Sequence, residues 1–165
     1  MTENPYLLEN VEDSSALHAL GAFIVLWAVF ECVLEIGIMK ELNINAQKAA
    51  VITCDMHTKA RADCLRALIS LHTPNHKALS LIIKIQDEGK RNTIHHGLIL
   101  VRPLPIKFVK RSAGGKYKQT ITSFGSQEMQ RHINKIANLI DELKAALSIR
   151  DEDMNKWFGD SAPPV

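Results

Sequence analysis

The sequence has few cysteines, the residues that stabilise small disulfide-bonded and zinc-binding proteins. Its 165 residues include only three cysteines, Cys32, Cys54 and Cys64, and no two of them stand at C-x2-C spacing. An odd number of isolated cysteines favours reduced thiols in the core of a cytosolic protein over disulfides or a zinc site. Aromatic residues are also scarce, at 5% against 46% hydrophobic residues, and this balance is typical of helical bundles rather than of β-sandwiches.

The sequence also lacks the pattern of a targeting segment. The N-terminal residues MTENPYLLENVED are acidic, whereas a signal peptide begins with basic residues. The apolar run from Ala19 to Phe30 covers twelve residues before Glu31, with Glu35 one turn later, which predicts a run too short to cross a bilayer. We therefore expect a cytoplasmic protein with no membrane partner, in which this run is a buried helix.

The net charge is small, but it is unevenly distributed along the chain. The total is +2, while the stretch from Lys84 to Lys118 carries nine basic residues against Asp87 and Glu88, so it holds +7 and the remainder −5. Such polarity favours an anionic partner at one end of the fold. A solvated hairpin that uses lysines to stay soluble would have a similar composition. The residues of this stretch predicted to bind nucleic acid are Lys90, Arg102, Lys107, Lys110, Arg111, Lys116 and Lys118.

Apolar periodicity predicts four helices. The first is apolar almost all round, so we expect it to bury one face in the core and another against a second subunit. Asp13 to Ser15 are good capping residues for its start, and Thr73-Pro74 has the pattern of a helix start as well. The predicted helices run from about Asp13 to Leu42, from Ala46 to Leu71, from Thr73 to Gly97, and onward from Ser126.

Two strands are predicted between the third and fourth helices. Leu98 to Lys110 has the pattern of an edge strand interrupted by Pro103 and Pro105, and Lys116 to Thr122 has that of a second strand. The predicted fold is thus mainly all-α, an up-and-down four-helix bundle with a small β-hairpin between helices three and four. Residues 14–149 form the predicted helical domain, preceded by an N-terminal extension (1–13) and followed by a disordered acidic tail (150–165).

The most polar cluster of the chain, KRNTIHHG, closes the third predicted helix. The apolar positions Ala78, Leu81 and Ile85 continue at helical spacing through Gly89 to Asn92 and His96, so the seam becomes polar at its end. Arg91 flanks that face and forms an R-x4-H pattern with His96. The pattern alone is weak. Arg66 and His72 stand at nearly the same spacing without a polar residue after the arginine, and for them we predict a solvated helix end.

A polar residue directly after an arginine, followed by a histidine at the end of helix three of a four-helix bundle, resembles the HEPN superfamily. The fuller string R-N-x-I-x-H-G, with a proline-containing hairpin and a closing helix behind it, is similar to bacterial HEPN-like proteins. Trp27 and Glu31 repeat the W-x3-E seen in helix one of relatives. The resemblance covers about residues 14–148, and its specific part is these few positions.

The resemblance implies a bundle that dimerises and brings two R-x4-H clusters together across a cleft. Many such domains are metal-independent endoribonucleases that serve as toxins or phage-defence effectors, whereas others bind nucleotides or proteins without cleaving. It also implies that Arg91, Asn92 and His96 are the catalytic set, that no cofactor or metal is needed, and that RNA and an antitoxin or defence-system protein are partners. Some toxin relatives have a tyrosine two residues after the histidine, where an antitoxin modifies it. Because Leu98 stands there, this regulation is not expected.

The residue types of the cluster fit metal-free RNA cleavage, which needs a base for the ribose 2′-hydroxyl, an acid for the leaving oxygen and a cation for the phosphorane charge. A helix C-terminus favours a protonated His96 and the nearby Arg91 opposes it, so the sequence predicts a pKa near neutral. Arg91 offers bidentate donors to phosphate oxygens, and Asn92 could orient the histidine or the 2′-hydroxyl. His95 is a supporting candidate with no fixed role.

Glu31 is a second supporting candidate, because it occupies a seam position of helix one. An unpaired carboxylate there would be costly, so we expect a partner such as Arg91, a histidine or Arg61. A structural ion pair with no catalytic part is the other interpretation of this residue.

Three functions fit the sequence. The first is a dimeric HEPN-type endoribonuclease, and the second is a catalytically silent HEPN-like module that binds nucleotide or a partner protein through the same cleft. The third is a plain dimeric helical bundle in which RNTIHHG caps a helix. The basic charge around the cluster separates the first from the third, and an activity assay separates the first two.

Overall fold

The computed structural model describes residues 11–89, 98–100, 106–112 and 118–161, and most of these residues are helical. This confirms the prediction of a mainly helical protein. In chain order the described elements are α1 (Val11–Glu41), α2 (Ala46–Thr53), α3 (Thr58–His72), α4 (Lys77–Gly89), β1 (Leu98–Leu100), β2 (Ile106–Ser112), β3 (Lys118–Phe124), α5 (Ser126–Ala146) and α6 (Asp151–Ser161).

The described elements fall into two compact units. The first unit holds α1 as far as Leu26, the three strands, and α5 as far as Lys135. The second holds α1 from Trp27, helices α2, α3 and α4, α5 from Ile136, and α6. The two longest helices therefore contribute to both units, and the predicted domain 14–149 is spread over both.

Residues 32–39 of helix α1, in the second unit, are surrounded on all sides. Every residue from Cys32 to Met39 is buried, and because helical side chains project in every direction, this burial requires cover all round the helix. The chain itself provides that cover, since Leu65, Ile85 and Leu143 of other helices belong to the same core. Residues 32–39 therefore need no second subunit to bury their apolar side chains.

Helix α1 also meets the length and hydropathy requirements of a membrane span. Leu17–Glu41 covers 25 residues with a mean hydropathy of 2.2. The prediction that the run is too short, which counted only the residues before Glu31, is therefore wrong on length. Of the apolar window, 56% is buried inside the protein. The core helix of a soluble protein meets the same two requirements.

The predicted second helix is in fact two helices, because α2 ends at Thr53 and α3 begins at Thr58. Three β-branched residues, Val51 to Thr53, close α2, and such residues are weak helix formers. The Thr53 hydroxyl donates to the carbonyl of Ala49 at 3.0 Å, a local bond that competes with continued helix. The hydroxyl of Thr58 donates to Glu31 of α1, so a tertiary contact holds the start of α3.

Helix α4 begins at Lys77, four residues after the predicted start at Thr73. Thr73 instead closes α3, where its N–H donates to the carbonyl of Ile69 at 2.8 Å. His76 Nδ1 accepts the N–H of Ala78 at 3.1 Å. The histidine therefore satisfies a free donor of the first turn, the role that the sequence predicts for Thr73.

The three strands form an antiparallel sheet in the order β1-β2-β3, with β2 in the centre. Leu98 pairs with Val109, and Ile106 pairs with Phe124. The prediction of one interrupted edge strand from Leu98 to Lys110 is therefore wrong. The segment holds two strands of opposite direction, and residues 101–105 with both prolines connect them. A proline pair ends a strand, which is why it divides this segment.

The core of the first unit contains an aromatic cluster around His132 of α5. The imidazole stacks on Phe23 of α1, with ring centroids 5.9 Å apart and an interplanar angle of 22°. It also contacts Phe124 of β3 at 5.7 Å. Phe23 and Phe124 are both buried. His132 thus joins a helix–helix contact to a strand.

The prediction of a disordered tail over 150–165 is wrong for Asp151–Ser161, which form α6. Three acidic residues in its first turn complement the positive end of the helix dipole. Asp153 accepts the N–H of Arg150 at 2.9 Å and pairs with Lys40 Nζ at 3.1 Å. The backbone bond from Arg150, followed by the contacts with Lys40, lowers the pKa of Asp153. The acidic residues that follow Arg150 therefore form the first turn of a helix.

Candidate functional site

The predicted catalytic set lies outside the described residues. Arg91, Asn92, His95 and His96 belong to residues 90–97, as does Lys90, and Arg102 and Lys116 fall in 101–105 and 113–117. The structure does describe the helix that leads into this set and the elements that contact the end of that helix. The surroundings of the set are therefore described unit by unit, first α4 with Trp27 and Glu31 of α1 in the second unit, and then the sheet in the first.

The apolar seam of α4 is confirmed. Its buried residues are Ala78, Leu81, Ile82, Ile85 and Gly89, which recur at helical spacing and include each predicted position up to Gly89. The last residue of the helix thus lies on the buried face.

Trp27 lies against this last residue of α4. Its side chain is only 5% exposed, and its ring packs edge-on against Phe30 with centroids 5.2 Å apart. A Cβ atom built on Gly89 would overlap Cζ3 of the indole. The tryptophan of the W-x3-E pair therefore contacts the end of the helix that precedes Lys90 and Arg91.

Glu31, the other member of that pair, has the basic partner that the sequence predicted. Arg61 Nη1 of α3 lies 3.5 Å from Glu31 Oε2, and the Thr58 hydroxyl donates to Glu31 Oε1. Of the three partners considered, the structure places Arg61 beside Glu31. These contacts agree with the interpretation of Glu31 as part of a structural ion pair.

Arg61 also bridges to a second carboxylate of α1. Its Nη2 lies 3.2 Å from Glu35 Oε1 and 3.3 Å from the carbonyl oxygen of Thr53 at the end of α2. The side chains of Arg61 and Glu35 are 15% and 12% exposed. One guanidinium therefore ties α1, α2 and α3 together from a largely buried position.

Burial raises the pKa of Glu35. The positive charge of Arg61 and a hydrogen bond with Thr53 oppose that shift, and the negative charge of Glu31 adds to it. Burial and the charge of Glu35 also raise the pKa of the Cys32 thiol to about 11. Cys32 is thus protonated at neutral pH and is a poor nucleophile.

The three cysteines are free, but they do not share one environment. Cys32 is buried and Cys64 is half-buried, whereas Cys54 is exposed. The prediction of core thiols is therefore right for Cys32 and wrong for Cys54. Cys54 and His57 stand at C-x2-H spacing, yet within the described ranges no three His, Cys, Asp or Glu side chains are grouped as metal ligands would be.

The sheet carries four of the predicted nucleic-acid-binding residues on β2 and β3. In the strand register, Lys107 pairs with Ser123 and Arg111 pairs with Gln119. Lys110 pairs with Thr120, and Lys118 pairs with Ser112. Arg102 and Lys116, as noted above, lie outside the described residues. Two adjacent strands therefore hold four of the seven predicted residues.

The second arginine–histidine pair of the sequence is a solvated helix end, as predicted. Arg66 Nη1 lies 3.4 Å from Asp63 Oδ1 one turn earlier. His72 is the last residue of α3 and is exposed.

Sequence reasoning missed Glu35 and Thr58 as members of the polar cluster. A signal for Glu35 was present, since two carboxylates one turn apart in an apolar helix share a face and require a common cation. Thr58 gave no such signal, because its role depends on a contact with α1 that is distant in sequence. Trp27 and Gly89 are likewise 62 positions apart.

Comparisons of the chain with models of protein families, with curated proteins and with solved structures gave no match.

Proposed function

We propose that the chain is a metal-independent endoribonuclease of HEPN type, a toxin or defence effector of the cytoplasm. In this proposal Arg91 and His96 act on the scissile phosphate at a cleft between two subunits. The observation that carries it is the string Arg-Asn-x-Ile-x-His-Gly directly after the buried seam of α4. The mainly helical fold supports it, and the proposed bundle consists of α1, α3, α4 and α5 with the strands between α4 and α5.

Each residue of the cluster has a role in this chemistry. Arg91 binds the phosphate and offsets the charge that develops on it. His96 transfers a proton, as base toward the 2′-hydroxyl or as acid toward the leaving oxygen. Asn92 orients the histidine or the hydroxyl, and His95 supports them. The basic residues of 84–118 attract the RNA backbone, which gives affinity without sequence preference.

RNA cleavage by this protein is expected to continue in EDTA and to leave 2′,3′-cyclic phosphate ends. Nothing in the proposal generates a metal hydroxide, so the nucleophile is the substrate's own 2′-oxygen. An RNA with a single 2′-deoxy sugar at the cut position should therefore remain intact. The measurement is gel analysis of end-labelled RNA and its deoxy-substituted match, each with EDTA or with added magnesium. Cleavage of the deoxy strand, or cleavage only with added metal, would contradict the proposal.

The protein is expected to be a homodimer in solution. A composite site needs two copies of the cluster, and α1 leaves Ile24 and Val25 46% and 64% exposed in the first unit. A second copy would cover this apolar face. Light scattering should give twice the chain mass of 18.4 kDa at micromolar concentration. A monomer under these conditions would remove the assembly and weaken the ribonuclease proposal.

The face of the dimer can be tested with a matched pair of variants. Val25→Glu places a charge on the α1 face and should give monomers. Val51→Glu makes the same change at a residue of α2 that is 76% exposed, and it should leave the dimer intact. If Val51→Glu dissociates the dimer and Val25→Glu does not, the interface lies on α2.

A second candidate function is a catalytically silent HEPN-like module that binds nucleotide or a partner protein, such as an antitoxin or defence component. The engagement of Glu31 by Arg61 and Thr58 favours it, because one of the supporting residues then has a structural role. Binding of RNA or nucleotide without cleavage by the wild-type dimer would select this function.

A further inference from the structure

The end of α4 approaches α1 more closely than a side chain at position 89 would allow. Gly89 is the last residue of the helix and is buried. A Cβ atom there would overlap Cζ3 of Trp27 and lie 3.0 Å from Cη2. Any residue larger than glycine therefore forces the indole or the end of α4 to move.

Close packing against Trp27 explains why glycine stands at position 89. Gly89 belongs to a helix and does not have a left-handed φ, so backbone conformation does not call for glycine. Glycine also weakens a helix relative to alanine. Position 89 requires a residue without a side chain, because the six-membered ring of Trp27 occupies the space that a Cβ atom would fill.

The indole that fills this space is itself held in place. Trp27 is 5% exposed, and it packs edge-on against Phe30, which is fully buried at 0% exposure. A ring enclosed in this way cannot turn aside without disturbing the core of the second unit. The contact therefore limits how closely the last turn of α4 can approach α1.

We infer that Trp27 and Gly89 are positioning residues, whose contact fixes the point from which the chain enters Lys90–Gly97. Arg91 is only two residues beyond Gly89 along the chain, so in this inference a displacement of Gly89 changes where the segment with Arg91 begins. The catalytic consequence rests on the proposed function. The positional consequence does not, because it can be measured on the histidines without substrate.

Gly37 provides a matched control within the same unit. A Cβ atom on Gly37 would lie 2.7 Å from Cδ2 and 3.1 Å from Cδ1 of Leu65. Gly37→Ala thus adds the same methyl group to a buried helical glycine, but it meets the mobile end of a leucine and is distant from the cluster in sequence.

The experiment compares Gly89→Ala, Trp27→Phe, the double variant and Gly37→Ala by NMR of the seven histidine side chains, assigned with single His→Gln variants. Phenylalanine lacks the outer ring atoms that occupy the space above Gly89. Each single change at the contact should therefore shift the imidazole signals of His95 and His96. The double variant should return them toward their wild-type positions, and Gly37→Ala should leave them there. The signals of His57 and His72 serve as internal references.

The same variants are then assayed for RNA cleavage. Gly89→Ala should lower kcat about 10²-fold with little change in KM, the effect of misplacing reacting groups by about 1 Å. Adding Trp27→Phe to Gly89→Ala should restore most of the lost kcat. If Gly89→Ala does not fold, the inference is tested by Trp27→Phe alone, from the His95 and His96 signals of that variant.

The outcomes separate this inference from the proposed function. Shifted His95 and His96 signals in a protein that cleaves no RNA support the positioning role and remove the ribonuclease. Wild-type cleavage with unchanged histidine signals and unchanged kcat in folded Gly89→Ala and Trp27→Phe overturns the inference and leaves the ribonuclease intact. Equal shifts of His95 and His96 in Gly37→Ala also overturn it, because the effect would then come from general loosening of the core.

Discussion

Replacing Arg61 with methionine is expected to lower the free energy of unfolding by about 3–5 kcal/mol, the usual result of removing one partner from a buried ion pair. Arg61 is the shared cation of Glu31 and Glu35, at 3.5 and 3.2 Å. Without it two carboxylates remain one turn apart in a largely buried cluster. Glu31 keeps its bond from Thr58 and is 27% exposed, so we expect a value toward the lower end.

The loss should depend on pH, because it requires ionised carboxylates. Burial raises the pKa of Glu35 above its ordinary value of 4.5, so the folded protein binds this proton more tightly than the unfolded chain. The resulting stabilisation is complete below that ordinary value and is lost as pH rises through the raised pKa. Removing Arg61 takes away the attraction that opposes the shift. The penalty of Arg61→Met should therefore be small in acid and should grow toward neutral pH.

Urea denaturation of wild type and variant across this pH range measures the effect. Glu35→Gln in the Arg61→Met background should recover part of the lost stability at neutral pH, since it removes one uncompensated charge. Lys77→Met is the control, because it breaks an ion pair with Glu142 whose side chains are 66% and 51% exposed, and exposed pairs contribute little. An Arg61→Met penalty no larger than that of Lys77→Met would mean that the cluster is not stabilising.

Much of the helical framework could be predicted because apolar spacing reports burial directly. The seam of α4 and the start of α5 at Ser126 follow from residues that recur every three or four positions. The partner of Glu31 could be narrowed to three candidates, because a carboxylate on an apolar face needs a cation. Arg61 was one of them, and it is the partner observed.

The element boundaries were less predictable, because contacts distant in sequence determine them. The break between α2 and α3 depends on Thr58 reaching Glu31. The start of α4 depends on a histidine in place of a more usual capping residue. The composition of α6 predicts a tail, because its acidic first turn is recognised only through the contact of Asp153 with Lys40 of α1.

The candidate site divides in the same way between local and distant information. The R-x4-H cluster and its seam are local patterns and could be found in the sequence alone. The close contact between Trp27 and Gly89 could not be found in this way, because a glycine near a helix end is also expected where a helix stops. Only the position of the Trp27 indole shows that glycine is needed there for packing.

In the proposed ribonuclease, His96→Ala is expected to lower kcat by about 10²–10⁴-fold, the range for removal of a general acid or base. Arg91→Ala should lower it by about 10²–10³-fold, the effect of losing one donor to a developing charge. Arg91→Lys should recover only part of this, because an ammonium cannot bind the phosphate in a bidentate manner. Neither alanine change should cost much stability, since the residues belong to a cleft in this proposal.

The chain supplies its own control for these variants. Arg66 and His72 have nearly the same spacing, and they occupy a helix end where Arg66 pairs with Asp63 and His72 is exposed. Arg66→Ala and His72→Ala should therefore leave kcat unchanged. The four variants are compared by cleavage of a fluorogenic RNA, with thermal melting to confirm folding. Induced expression should arrest growth for wild type and for His72→Ala, but not for His96→Ala.

The pH profile of wild-type cleavage adds a test of how the proton transfers are shared. If two histidines act as acid and base, one from each subunit or as a neighbouring pair, kcat should follow a bell-shaped curve with two apparent pKa values that belong to the pair. His96→Ala removes one of these groups, so its residual activity should lose one limb of the curve. An unchanged bell in folded His96→Ala, or a loss of activity in His72→Ala equal to that in His96→Ala, would place the proton transfers on other residues. Arg91 would then be left as a phosphate-binding group only.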